Sequence, residues 1–369
     1  MQFSDDISIM RRALELARRG AGSVEPNPCV GAVIVDDNQT LLGEGFHEVY
    51  GGPHAEVNAL RNAGVAAAGG TIFVTLEPCA HHGKTPPCVA AIIAAGLRRV
   101  VVAARDPARH GAGSGVETLR DAGIEVEVGL CADEGESLLA PFTMRMTQNR
   151  PFVHAKWAMT LDGKLATHTR SSQWISNERS RQVVHEMRRK MDGILVGIGT
   201  ALADDPLLTA RPAGKRTAVR VVLDPNARLP LSSQLVRTQA QGPVLIFVSE
   251  QADATRVEQL RNADVEVLRT APREDGTGLD LLPVLHELAR RQVTNLLVEG
   301  GSRVLGAFFD ESLIDEVHCF IAPKLAGGER SLTPIGGAGL ETIPSQPDLV
   351  QPSIEILDGD VYIHGRIRR

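Results

Sequence analysis

The stretch from His54 to Cys88 leaves this chain few folds to choose from, because three of its side chains are metal ligands that have to converge. It reads His54-Ala55-Glu56, then a mixed run to Pro78-Cys79, then an eight-residue gap to Cys88. One imidazole and two thiolates supply three ligands for Zn²⁺. They leave a fourth tetrahedral position for water, the open arrangement of a catalytic rather than a structural centre. Glu56 is the spare carboxylate, placed to take a proton from water and return it to a leaving group. A structural zinc knot would normally supply a fourth protein ligand and would have no use for Glu56.

The flanking sequence predicts how the ligands are delivered. Pro53 before His54, and Thr85-Pro86-Pro87 before Cys88, both read as helix starts, with a capping hydroxyl and prolines in the first turn. Cys88 would then sit at a helix N-terminus, where backbone N–H groups and the helix dipole favour its thiolate. Between the helices, Gly70 to Leu76 is a β-rich run, a buried strand carrying Glu77-Pro78-Cys79 at its end. Upstream, residues 5–20 have apolar side chains at helical spacing and Pro26-Asn27-Pro28 is a fixed turn before the strand run up to Val35. Asn27 either reads the edge of a heterocyclic base, offering a donor and an acceptor at once, or is simply a turn residue. Strands at Gly43–His47, Val100–Ala104 and Ile124–Val128 alternate with helices after Cys88 and from Gly115 to Ala122. That alternation predicts a three-layer α/β unit with its zinc at the C-terminal ends of strands.

With 369 residues the chain exceeds what one core usually serves, and two domains are expected, 1–148 and 149–369, parted near Asn149-Arg150-Pro151. The net charge of -6 argues against a nucleic-acid partner, whose phosphates are normally met by surplus Lys and Arg. No run is apolar and long enough to cross a membrane and no signal-peptide pattern is present. Five scattered cysteines do not make a disulfide framework, so a reducing cytoplasm is the expected compartment.

The second half also alternates. A β-run from Phe152 to Lys156 leads to a helix at 177–190 and strands at 193–197, 218–223 and 243–248; a helix at 281–291 and a strand at 295–298 follow. Strands at 316–321 and 360–364 could close the sheet. Two strand-to-helix turns, Gly197-Ile198-Gly199-Thr200 and Glu299-Gly300-Gly301-Ser302, could each present free N–H groups to a phosphate. Neither is a full dinucleotide fingerprint, but two on one α/β unit favour a nucleotide cofactor. Arg188 and Arg211 are candidate phosphate partners, or else solvated surface arginines.

His-x-Glu followed by Pro-Cys and a second Cys is the pattern of zinc deaminases, in which the Glu is not a metal ligand. The whole chain resembles the bifunctional riboflavin-biosynthesis deaminase/reductase family. In the first half the likeness rests on Pro26-Asn27-Pro28, on His54-Ala55-Glu56-Val57 and on Thr75-Leu76-Glu77-Pro78-Cys79 through to Cys88. In the second it rests on Leu161-Asp162-Gly163-Lys164, Ser172-Gln173-Trp174-Ile175, Ala203-Asp204-Asp205-Pro206 and Ile321-Ala322-Pro323-Lys324-Leu325. The resemblance implies a cytidine-deaminase-like α/β/α domain followed by a dihydrofolate-reductase-like α/β domain. It implies zinc on His54, Cys79 and Cys88, with Glu56 shuttling protons and Asn27, His47, His81 and Lys84 on a pyrimidine ribosyl phosphate. It further implies NADPH at Ala158, Trp174, Thr200, Asp204, Gly300 and Gly301, with substrate on Ser172, Arg188, Leu208, Arg211 and Glu299. A homo-oligomer is expected by the same analogy.

Two other readings of the residues compete with this one. A nucleic-acid or free-nucleoside deaminase is disfavoured by the acidic charge and by an aromatic content of 4%, since flipped bases are usually stacked on aromatic rings. A non-catalytic zinc-dependent interaction module would require a fourth protein ligand on the metal.

Overall fold

Buried strands flanked by helices read as continuous apolar runs, and here such runs become the centres of two sheets. The computed structural model of the protein describes residues 1–83, 85–107, 114–273, 276–346 and 348–368. Two compact units divide the chain, Met1–Asn149 and Arg150–Arg369.

The first unit runs α1 (Asp6–Arg18), β1 (Gly31–Val35), β2 (Leu41–Phe46), α2 (Ala55–Ala63), β3 (Thr71–Leu76), α3 (Cys88–Ala94), β4 (Arg99–Ala104), α4 (Ser114–Asp121), β5 (Glu125–Val128) and α5 (Ala132–Gln148). Its sheet has the order β2-β1-β3-β4-β5, with β1 antiparallel to both neighbours and β3, β4 and β5 parallel. Alternate residues of each strand face opposite ways. Ile34, Ile72, Val74, Val100 and Val102 therefore meet Ala59 of α2, Ile92 of α3 and Leu119 of α4. Val33, Val35, Phe73 and Val101 meet Ile9, Met10 and Leu14 of α1 with Leu138 of α5 on the other face. The result is the three-layer α/β/α unit that the alternation predicts.

Asp5 caps α1 through a capping box with Ser8, whose backbone N–H reaches the Asp5 carboxylate at 2.7 Å. The long helix α5 has no counterpart in the sequence reading. It holds Gly135 and Pro141, which weaken a helical pattern, and tertiary packing of Leu138, Leu139 and Ala140 overrides that local preference.

The second unit runs β6 (Phe152–Thr160), α6 (Glu178–Arg188), β7 (Gly193–Gly197), α7 (Ile198–Asp204), β8 (Val219–Leu223), α8 (Gln234–Arg237), β9 (Val244–Ser249), α9 (Ala254–Asn262) and β10 (Glu266–Thr270). It continues through α10 (Leu281–Arg290), β11 (Asn295–Val298), α11 (Ser302–Asp310), β12 (Glu316–Ala322), β13 (Leu349–Leu357) and β14 (Asp360–Ile367). Its nine strands are ordered β10-β9-β8-β7-β11-β6-β12-β14-β13. All are parallel as far as β12, and β14 and β13 add an antiparallel edge. This is the dihydrofolate-reductase-like sheet the resemblance implies.

Arg150 opens this unit with a buried bidentate pair, its two terminal nitrogens donating to the Asp315 carboxylate at 2.7 and 2.9 Å. The same carboxylate accepts from the Val153 N–H at 2.8 Å, which ties the start of β6 to the turn before β12.

Candidate active sites

The three side chains that could hold zinc are assembled by three element ends. His54 is the N-cap of α2 and makes no capping hydrogen bond, which leaves its ring for other work. Cys79 lies just past β3, and Cys88 is the first residue of α3. His54 Nδ1 stands 3.2 Å from Cys88 Sγ and 3.5 Å from Cys79 Sγ, and the three ligand atoms lie within 4.8 Å of one another. A borderline nitrogen and two sulfurs at this spacing fit a tetrahedral zinc ion. Glu56 is on the buried face of α2, 3% exposed, and burial pushes its carboxyl above the usual range.

Two details differ from the sequence expectation. The Cys88 N–H at the start of α3 donates to Cys79 Sγ at 3.3 Å, so the helix N-terminus serves the other thiolate. The hydrogen bond from the Cys88 thiol, then His54 and this N–H, hold Cys79 down at about 4 against burial, while Cys88 is pushed up. Thr85 does not cap α3, whose N-cap is Pro87; its Oγ1 instead stands 3.4 Å from His54 Nε2, at the outer edge of the metal's ligand shell.

Cys79 is positioned by a carboxylate that the sequence reading did not assign. Glu77 is buried and accepts the Gly115 and Val116 N–H groups, each at 3.1 Å, and that of Asp106 at 3.3 Å. Gly115 is forced to be glycine, since a Cβ there would stand 2.0 Å from the Pro78 carbonyl oxygen.

Around the ligands, the Asn27 amide stands 3.2 Å from His47 Nε2, and His47 Nδ1 lies 3.0 Å from the Pro53 carbonyl oxygen. A ring donating at Nδ1 must accept at Nε2, so the Asn27 amide donates and its carbonyl oxygen remains for a base edge. Burial lowers His47 and keeps it neutral. The His47 ring meets His54 edge to face at 5.3 Å. His81 is exposed on the loop after Cys79, and Lys84 lies outside the described residues.

In the second unit the two strand-to-helix turns come together, because β7 and β11 are neighbours. Gly300 and Gly301 have φ of +87° and +71°, and a Cβ on Gly301 would stand 3.0 Å from Thr200 Oγ1. Only a bare backbone fits there. Glycines at the start of α11 beside a hydroxyl on α7 suit a pyrophosphate, so the residues present fit a dinucleotide.

Glu299, at the end of β11, receives Arg188 in a bidentate pair at 2.5 and 2.8 Å. Lys156 on β6 stands 3.9 Å from the same carboxylate. Burial would raise Glu299, but Arg188 and Lys156 hold it at about 2; burial lowers Lys156. Ser172 hydrogen-bonds Asp204, which also faces Lys156. Arg211 is exposed, and His185 is lowered by burial first and then by Arg188 and Arg211. Leu208 is buried, and Ala158 lies on β6 beside Phe320. Trp174 is exposed; its carbonyl accepts from Lys324 Nζ at 2.6 Å and Arg181 lies over its ring at 4.7 Å.

Lys156 is a buried cation of this cluster that the sequence reading missed. The signal was available, since a lysine inside an apolar strand run needs a buried counter-charge. Asp162 of the Leu161–Lys164 turn has a structural role. It accepts the Thr160 hydroxyl at 2.6 Å and the Ala326 and Gly327 N–H groups at 3.1 and 2.7 Å, which hold it down at about 2.

Three side chains able to hold zinc with a buried glutamate on one unit, and two glycine turns that suit a dinucleotide together with a buried ion cluster on the other, fit a zinc deaminase joined to a reductase. Residues 3–104 match the cytidine and deoxycytidylate deaminase zinc-binding region, and residues 151–362 match the RibD C-terminal domain. The riboflavin biosynthesis protein RibD of Aquifex aeolicus is 43% identical over 97% of both chains. The corresponding protein of Escherichia coli is 38% identical over 96% of this chain and 97% of its own. Among solved structures, RibD of Acinetobacter baumannii superposes with a TM-score of 0.84 at 36% identity over 99% of each chain. The diaminohydroxyphosphoribosylaminopyrimidine deaminase/5-amino-6-(5-phosphoribosylamino)uracil reductase of Thermotoga maritima does so at 0.84 and 38%, over 98% of each.

The chain belongs to the RibD family of bifunctional riboflavin-biosynthesis enzymes. Its cofactors are Zn²⁺ and NADPH.

Proposed function

We propose that the first unit removes the amine of 2,5-diamino-6-(5-phosphoribosylamino)pyrimidin-4-one by hydrolysis, and that the second then reduces the ribosyl side chain of the product to ribityl. The observation that carries the reading is the convergence of His54, Cys79 and Cys88 on one point with the Glu56 carboxyl buried beside it. Zinc supplies the Lewis acidity that makes water a nucleophile at neutral pH, and NADPH supplies the two electrons of the reduction. Glu56 takes the proton of the attacking water, gives it to the ring nitrogen and then assists departure of ammonia. The Asn27 carbonyl oxygen and amide, fixed by His47, orient the pyrimidine edge, and His81 and Lys84 meet the ribosyl phosphate.

In the second unit Thr200, Gly300 and Gly301 hold the pyrophosphate of NADPH, with Ala158, Trp174 and Asp204 along the rest of the cofactor. Arg188, Glu299, Ser172, Leu208 and Arg211 hold the substrate. Lys156 joins them as the cation facing both Glu299 and Asp204. Asp204, hydrogen-bonded to Ser172, is the candidate proton donor or positioning group for the reduced carbon.

The functional halves we assign are 1–148 and 149–369; the compact units at Met1–Asn149 and Arg150–Arg369 support that division. A homo-oligomer in a reducing cytoplasm completes the proposal, and light scattering tests the assembly.

Replacing Glu56 by Gln tests the central role. Ammonia release is expected to fall by about a hundredfold to ten-thousandfold with zinc still bound. A variant that keeps its rate would remove Glu56 from the mechanism.

A further inference from the structure

Outside both sites, the described residues hold one other cluster with metal-ligand chemistry, at the start of β6 and β12. In the parallel register of these strands Glu316 lies opposite His154, and His318, two residues on, shares the face of Glu316. His154 Nδ1 stands 3.4 Å from His318 Nε2 and 3.6 Å from a Glu316 oxygen, and His318 Nε2 stands 3.4 Å from the other Glu316 oxygen. A tetrahedral ion with bonds of about 2.0–2.2 Å to nitrogen and oxygen has ligand-to-ligand edges of about 3.3–3.6 Å. The His154–His318 edge has that length, each histidine reaches a different Glu316 oxygen at 3.4 or 3.6 Å, and one ligand atom from each residue lies within 4.8 Å of the others, so a small turn of the carboxylate closes the triangle.

The outer contacts suit ligation as well. A metal-bound imidazole almost always has its second nitrogen held by another group, which fixes the tautomer and the ring. His154 Nε2 stands 3.2 Å from Asn295 Oδ1, and His318 Nδ1 stands 2.7 Å from the Tyr362 hydroxyl. Both histidines are buried, and the Glu316 side chain is 22% exposed, so the triangle has one side from which an ion can enter. Neither proposed reaction uses any of the three residues.

We propose that His154, Glu316 and His318 form a second metal site, a two-histidine, one-carboxylate centre for a divalent transition ion of the zinc class. The ion would clamp β6 to β12, two residues along the strand from Lys156. With no thiolate among its ligands, this centre is spectroscopically distinct from the Cys79/Cys88 site.

The test uses the full-length protein with the first site removed by Cys79→Ser and Cys88→Ser, stripped of metal and titrated with Co²⁺. Visible d–d absorption saturating at a single equivalent, without a thiolate-to-metal charge-transfer band and displaced by Zn²⁺, is the expected result. Glu316→Gln or His318→Gln in that background abolishes it, and Tyr362→Phe weakens binding about tenfold. Should the double serine variant fail to fold, metal content decides in the otherwise native protein: Glu316→Gln is expected to lose one equivalent of zinc while the cobalt form keeps its thiolate charge-transfer band. Absence of Co²⁺ binding in the folded serine variant, or a zinc content that Glu316→Gln leaves unchanged, would overturn the proposal and leave the cluster as hydrogen bonds alone. Loss of the charge-transfer band in native protein would instead count against the deaminase centre.

Discussion

Glu56 and Glu299 are both almost removed from water, and their surroundings drive them opposite ways. Burial dominates at Glu56 and raises it, whereas Arg188 and Lys156 overcome burial at Glu299 and hold it at about 2. A carboxyl lowered by folding contributes stability that is complete above its unfolded value, about 4.3, and is lost as the pH falls toward the folded value. The second unit should therefore lose stability between about pH 4 and about 2. Glu299→Gln is expected to shrink that segment of the acid profile, with Asp162 carrying part of what remains. It should also destabilise the unit at neutral pH by about 3–5 kcal/mol, because it strands a buried guanidinium. Denaturant midpoints measured from pH 7 to 2 check both, and an unchanged acid limb in the variant would show that Glu299 is not the group responsible.

At the scale of elements, strand ends and the glycines behind them set the sites. Gly115→Ala would push the Pro78 carbonyl away and with it Cys79; the expected outcome is a loss of about 1–3 kcal/mol and weaker zinc retention, read by metal content after dialysis. Gly301→Ala places a Cβ in a left-handed residue against Thr200, at a strain of about 1–3 kcal/mol, and should raise the KM for NADPH while ammonia release is unchanged. The central parallel strands were legible as apolar runs, and the His54–Cys88 stretch as a metal site. The peripheral elements were less so. The helix at Ala254–Asn262 buries only Val257 and Leu260, and the strand at Leu349–Leu357 holds Pro352 beside a register shift, so neither has a clean period. Lys156, Glu77 and the His154 cluster share another obstacle: their meaning lies in partners far along the chain, which strand register supplies and spacing does not.

For the whole molecule, two units with separate ligand sets imply two reactions that can be uncoupled and that run in a fixed order. Deamination changes the ring that the second unit must recognise, so reduction should wait for it. The most direct test follows ammonia and NADPH absorbance together in the full-length enzyme, given the pyrimidine ribosyl phosphate and NADPH, beside its Cys79→Ser variant. NADPH oxidation that lags ammonia release in the native enzyme, and that in the variant occurs only when the deaminated intermediate is supplied, is the predicted result. NADPH oxidation by the variant on the original substrate, at the native rate, would contradict the order of the two reactions.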